Sequence, residues 1–136
     1  MKLVVDTNRI IAALVKDSYS RRILSSDLFD FHAVALSRKE IGKYEEELLQ
    51  KTHLSADQFS DLLDALLGRV VFIDDARIQP FMPQARDVMD SVDPNDTPFL
   101  AAALAIDADG IWTHDPHFDH QMLVKVIRTN DLVALS

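Results

Sequence analysis

The chain has 136 residues, 48% of them hydrophobic, with 22 acidic against 14 basic side chains and no cysteine. This composition excludes disulfides, thiolate nucleophiles and cysteine-ligated zinc, and it predicts one folded domain over residues 1–136 rather than a disordered chain. The formal net charge of -8 counts against a polyanionic partner. With no apolar run near the roughly 18–20 residues of a membrane span and no charged-then-apolar leader, a cytoplasmic protein without membrane contact is expected.

Residues 2–5 are a short apolar run, read as a buried opening strand. Thr7 and Asn8 then cap a helix in which Ile10, Ile11, Leu14 and Val15 recur at helical spacing. A second helical piece over about residues 20–27 precedes an apolar run at 31–36, the second strand. Ser37 is expected to open a long helix that becomes heavily charged over 44–51. Ser55 and Gln58 form a capping box for a helix with Phe59, Leu62, Leu63, Leu66 and Leu67 on its apolar side, ended by Gly68. A strand at 70–73 leads into a helix interrupted at Pro80 and Pro83. Asp93-Pro94-Asn95-Asp96 is a turn-forming cluster, and Thr97-Pro98 opens a helix whose unbroken apolarity over 99–106 predicts burial on most sides. A strand at 110–113, a polar loop at 114–121, a last strand at 124–127 and a helical turn at 131–135 complete the reading.

Short apolar strands without alternation, separated by helices, predict an α/β fold. Its parallel sheet would have four to five strands, with helices on both faces. Ligands of such sheets bind beyond the carboxyl ends of the strands, so the residues just after each strand are where chemistry belongs.

Two strands run directly into an aspartate: Val4-Val5-Asp6-Thr7-Asn8, and Ile111-Trp112-Thr113-His114-Asp115. Both carboxylates then project from one edge of a parallel sheet. Glu40, expected in the first turn of the helix after the second strand, approaches the same edge, whereas the position of Asp96 depends on topology. Carboxylates gathered this closely either take up protons or are neutralised by a cation. An oxygen-rich set without cysteine suits Mg²⁺ or Mn²⁺, and a water held by such an ion is a nucleophile for a phosphodiester.

Taken together, Val4-Val5-Asp6-Thr7-Asn8, Ser37-Arg38-Lys39-Glu40-Ile41, Asp93-Pro94-Asn95-Asp96-Thr97-Pro98-Phe99-Leu100-Ala101 and Trp112-Thr113-His114-Asp115 resemble the PIN-domain family of nucleases. The resemblance spans nearly the whole chain. It implies a PIN-like fold and metal-dependent cleavage of RNA, with Asp6, Asp96 and Asp115 as metal-binding aspartates and Glu40 as the acidic residue of the third helix. Thr113 matches the hydroxyl residue that orients the cluster, and Asn8 and Asp93 are supporting candidates. Many members carry the helical acid one turn later, where this chain has Lys43; the order Glu40-Ile41-Gly42-Lys43 matches a subset. Small stand-alone members are often toxins neutralised by an antitoxin, so an antitoxin partner and a homodimer are implied as well.

Each acid also has a structural reading. Asp6 and Asp96 sit where helix caps sit, Ser37-x-x-Glu40 is itself a capping box, and Asp115-Pro116 and Asp93 suit turns. Four independent caps would have no reason to share one edge. His114, His117 and His120 recur at intervals of three, but with Pro116 among them an exposed loop is favoured over a zinc site, leaving His114 or His117 as substrate contacts. Arg9, Arg38 and Lys43 are candidate phosphate contacts; alongside Arg21, Arg22 and Lys39, each suits ordinary surface solubility too. Glu45, Glu46 and Glu47 read as a solvated helix face, Trp112 as core or pocket wall, and Leu24, Leu28, Phe59, Leu62 and Leu66 as core before dimer surface. Two other functions stay open: a non-catalytic interaction module, and an aspartyl phosphatase, which would want an acid where Asn8 stands.

Overall fold

The computed structural model describes residues 1–15 and 18–136. Its five strands are β1 (Lys2–Val5), β2 (Asp30–Val34), β3 (Val70–Ile73), β4 (Gly110–Trp112) and β5 (Val126–Ile127). They form one sheet in the order β3-β2-β1-β4-β5, and every pair is parallel. The helices are α1 (Thr7–Val15), α2 (Ser18–Leu24), α3 (Ala35–Lys43), α4 (Glu45–Thr52), α5 (Ala56–Leu67), α6 (Asp75–Ile78), α7 (Met82–Met89), α8 (Thr97–Ala105) and α9 (Thr129–Leu135), with 3₁₀ turns at Gln79–Phe81 and Pro116–His120.

The sheet separates two apolar layers, and strand alternation assigns its side chains between them. Leu3, Val5, Phe31, Trp112 and Ile127 pack with Ile10, Leu14, Leu24, Phe59 and Leu132 from α1, α2, α5 and α9. On the other face Val4, Val34, Ile73 and Ile111 pack with Ile78, Ala85, Met89 and Leu100 from α6, α7 and α8. The continuous apolarity of α8 is explained by this placement, since Phe99 to Ala103 are all buried. Trp112 is fully buried, and its indole N–H donates to Thr129 Oγ1 at 3.1 Å. Gly110 is required where β4 meets β5: a Cβ there would stand 2.3 Å from Ile127 Cδ1 and 3.0 Å from the Lys125 carbonyl oxygen.

Several expected boundaries move, each for a local reason. The second strand stops at Val34, and Leu36 lies exposed in the first turn of α3. Ser37 does not cap that helix, because its hydroxyl is bonded to the Thr7 hydroxyl at 2.7 Å, and extended Val34 stands at the N-cap without a side-chain bond. Glu40 therefore falls in the second turn and its capping box with Ser37 is absent. The long charged helix is two, α3 and α4, broken at Tyr44. The Ser55–Gln58 box forms as expected, both bonds at 3.1 Å. β5 is shorter than its apolar run because the buried Gln121 amide occupies Val124: it donates to the Val124 and Phe118 carbonyls and accepts from the Val124 N–H. Leu24, Phe59 and Leu66 are core, Leu62 half-buried and Leu28 exposed, while Glu45, Glu46 and Glu47 face solvent.

Candidate active site

β1 is the strand from which the chain departs in both directions, to β2 and β3 on one side and to β4 and β5 on the other. Such a reversal leaves a crevice between the carboxyl ends of the two diverging strands. Asp6 directly follows β1 and Thr113 directly follows the adjacent β4. The backbone N–H of Asp6 donates to the Trp112 carbonyl at 3.0 Å, fastening the two exits together.

Asp6 is 8% exposed and Thr113 is fully buried. The Thr113 hydroxyl donates to Asp6 Oδ2 at 2.7 Å and accepts from the Asp115 N–H at 3.0 Å, so one hydroxyl orients both acids. Asp6 Oδ1 also accepts from the Asn8 N–H at 3.3 Å; the aspartate thus serves the helix start as well as facing the crevice. Arg128 braces this junction from behind. Its guanidinium donates to the Thr113 carbonyl at 2.6 Å and, through a second nitrogen, to both oxygens of Asp119 at 3.0 and 2.8 Å.

The second half of the site comes from the α7–α8 connection and the 3₁₀ turn after β4. Asp96 holds the N-cap position of α8 but makes no capping bond; its Oδ2 instead lies 2.8 Å from His117 Nδ1. Thr97 helps to hold this corner by donating to Asp90 Oδ1 at 2.7 Å. Around the same ring nitrogen, Asp115 Oδ1 stands at 3.4 Å and Asp93 Oδ2 at 3.5 Å. Asp115 does cap its turn, accepting from the His117 N–H at 2.9 Å, and Asp93 Oδ1 accepts from Asn95 N–H at 2.9 Å. One ligand atom from each of Asp93, Asp96 and His117 lies within 4.8 Å of the others. Desolvation raises the Asp96 carboxyl above its ordinary range, the His117 bond opposes this, and Asp115 and Asp93 add to the rise. The bond to Asp96 raises His117 in turn, with the three carboxylates reinforcing it and desolvation opposing it. Oxygen-rich donors joined by one imidazole fit a divalent cation.

Expectation and structure differ most at the histidines. Pro116 does not break the segment into a loose loop; it starts the 3₁₀ turn that buries Phe118 and turns His117 toward the acids. His114 faces elsewhere: its Nε2 accepts from the Thr129 N–H at 3.2 Å and lies 2.6 Å from the Thr129 hydroxyl. Glu40 is half-buried, and among the described residues no hydrogen bond or ion pair ties it to the aspartates. The Thr7–Ser37 bond nevertheless holds α3 against the start of α1 beside Asp6, and Glu40 is the i+3 neighbour of Ser37. Arg38 lies 4.4 Å from the Phe72 ring centroid and Lys43 5.6 Å from that of Tyr44, while Arg9 is half-buried in the first turn of α1. Arg128 went unnoticed in the sequence, although it directly follows the last strand, because an arginine there carries no carboxylate chemistry. The role of His117 had a signal, since Asp-Pro turns fold the following N–H back onto the aspartate.

Comparison with known proteins gives one consistent result. A family model described as PIN domain matches residues 4–131. The chain is similar to a chain in the crystal structure of VapBC2 from Rickettsia felis bound to a DNA fragment from their promoter, with 19% identity and a TM-score of 0.71 over 94% of this chain and 98% of that one. It is also similar to a chain of FitAB bound to an IR36 DNA fragment, with 19% identity and a TM-score of 0.58 over 93% and 94% of the two chains. No curated protein matches the sequence.

Proposed function

Because the chain belongs to the PIN-domain family, we propose that it is a divalent-metal-dependent endoribonuclease, the toxin of a toxin–antitoxin pair. The observation that carries the catalytic reading is the convergence at the switch point. One threonine hydroxyl orients both Asp6 and Asp115, and Asp115 in turn stands 3.4 Å from the His117 ring nitrogen around which Asp96 and Asp93 gather. Asp6, Asp96 and Asp115 hold the ion, Mg²⁺ or Mn²⁺, and Glu40 completes the set from α3. A divalent cation bound there supplies positive charge against the scissile phosphate and a water acidic enough to attack it.

The chain's own residues do the rest. Thr113 fixes the Asp6 carboxylate with its hydroxyl and Asp115 through the N–H that it accepts, which keeps both acids set before substrate arrives. Asn8 supports Asp6 by donating its N–H to the carboxylate, and Asp93 supports Asp96 by accepting its N–H at the backbone carbonyl. Arg9 and Arg38 lie early in α1 and α3, which start from the same edge, and with Lys43 at the far end of α3 supply cationic contacts for the RNA backbone. Net charge is the wrong scale for judging this substrate, because the acids at the site are neutralised by the ion and Glu45 to Glu47 are spent on a solvated helix.

The partner reading rests on the family resemblance and on the solved chains, which were determined as VapBC2 and FitAB on DNA. Co-expression of the neighbouring reading frame tests it: a bound product that relieves growth arrest is expected. Sedimentation of the purified chain tests the homodimer. The catalytic reading is tested by incubating the protein with mixed RNAs in Mg²⁺, in Mn²⁺ and in chelator. Cleavage is expected only with metal, and Asp6→Asn is expected to lower it by about a hundredfold or more. Undiminished cleavage by a correctly folded Asp6→Asn protein would overturn the assignment. Release of inorganic phosphate from monoesters would point to the phosphatase instead.

A further inference from the structure

The imidazole of His117 occupies the focus of the carboxylate cluster. Its Nδ1 has three oxygens around it, at 2.8 Å from Asp96, 3.4 Å from Asp115 and 3.5 Å from Asp93. Neighbouring ligands of an octahedral ion with bonds of about 2.1 Å are separated by roughly 3 Å. The three observed separations bracket that spacing. A ring nitrogen facing three carboxylate oxygens needs something positive between them. In the absence of an ion that is the shared hydrogen; a cation between the ring and the acids meets the nitrogen of His117 and one oxygen each of Asp93 and Asp96, which all lie within 4.8 Å of one another, with Asp115 beside them. The ring is aimed by the backbone, since the His117 N–H is bonded to Asp115 within the 3₁₀ turn and the next residue, Phe118, is buried.

We infer that His117 is a nitrogen ligand of the metal centre, sharing the ion with Asp93 and Asp96 while Asp115 flanks them, and that it biases the centre toward Mn²⁺ over Mg²⁺. Imidazole is a poor donor for Mg²⁺, which favours hard oxygens, but a good one for transition ions. Asp93 thereby moves from turn residue to ligand. The inference rests on reading this crevice as a metal centre, yet it has its own readout.

Mn²⁺-loaded protein is examined by electron spin-echo modulation, which detects directly bound nitrogen, and Mn²⁺ and Mg²⁺ affinities are measured by calorimetry. The expected results are a nitrogen modulation in the wild type, its loss in His117→Gln, and a fall of about tenfold or more in the Mn²⁺/Mg²⁺ affinity ratio of that variant. Mn²⁺ binding without nitrogen modulation in the wild type, which needs no variant to fold, would overturn the inference while leaving the metal centre standing. A modulation that survives in His117→Gln would assign the nitrogen to another histidine and overturn it equally. No binding of either ion would overturn both this inference and the catalytic reading beneath it.

Discussion

Thr113 is the most economical place to perturb the site, because one hydroxyl group serves two acids. Thr113→Val keeps the shape of the side chain and removes only its hydrogen bonding. The Asp6 carboxylate, 8% exposed, loses a charge-assisted donor at 2.7 Å, and the Asp115 N–H loses its acceptor at 3.0 Å. A hydrogen bond to a charged group contributes about 1.5–3 kcal/mol, and a half-buried N–H left unpaired costs about 1 kcal/mol more. The expected loss is about 2–4 kcal/mol, or roughly 8–16 °C in Tm for a chain of this size. Thr113→Ser is the control: it retains the hydroxyl and deletes one methyl from a fully buried position, a loss of about 1 kcal/mol. Urea unfolding in chelator reports both, followed by fluorescence of the single tryptophan, Trp112, and checked by circular dichroism for coincident transitions. If the valine variant is no less stable than the serine variant, the Thr113 hydroxyl does not hold Asp6 and Asp115 as described above.

Two further perturbations probe the surrounding structure. His117 is raised above its ordinary 6.5 chiefly by its bond to Asp96. Such a group contributes stability that is complete below the unfolded value and is lost as pH rises through the folded one. Without divalent ions, the urea midpoint should therefore fall as pH climbs from about 6.5, and this slope should vanish in His117→Gln; parallel profiles for the two proteins would refute the arrangement. Gly110→Ala places a methyl against Ile127 and the Lys125 carbonyl oxygen, which cannot both give way. A loss of about 1–3 kcal/mol is expected, and an unchanged unfolding midpoint would show that β4 and β5 are less closely apposed than described.

The fold was legible because its signals are local and redundant. Apolar runs at Lys2–Val5 and Val70–Ile73, and the Ser55–Gln58 box, state their structure in four residues each. What failed was local as well, wherever a side chain was claimed from a distance. Ser37 looks like a cap until Thr7 takes its hydroxyl, and Val124 looks like a strand residue until Gln121 takes its backbone groups. Asp6 and Asp115 lie at the carboxyl edge of the sheet as expected because each closely follows a strand, a position that survives errors of one or two residues, whereas Thr113 was singled out by the family resemblance. His117 was read only as a candidate substrate contact and Arg128 not at all, because their surroundings are what the fold brings to them. The carboxylates around the one and the Thr113 carbonyl beside the other are distributed along the chain, and no spacing rule connects them.

The pairing of β1 with β4 also sets a schedule. Asp6 and Thr113 are 107 residues apart, and the bond between them closes the longest loop in the site. Chain elongation at about 5–20 residues per second puts roughly 5–20 s between the appearance of the first partner and the second. During that interval the nascent polypeptide can form α1 and pair β1 with β2 and β2 with β3, but it has no second wall for the crevice. Arg128, which braces that wall, emerges later still. The crevice is therefore completed in one late step of synthesis, and a shorter fragment, however well its first strands are packed, lacks the wall that carries Thr113 and Asp115.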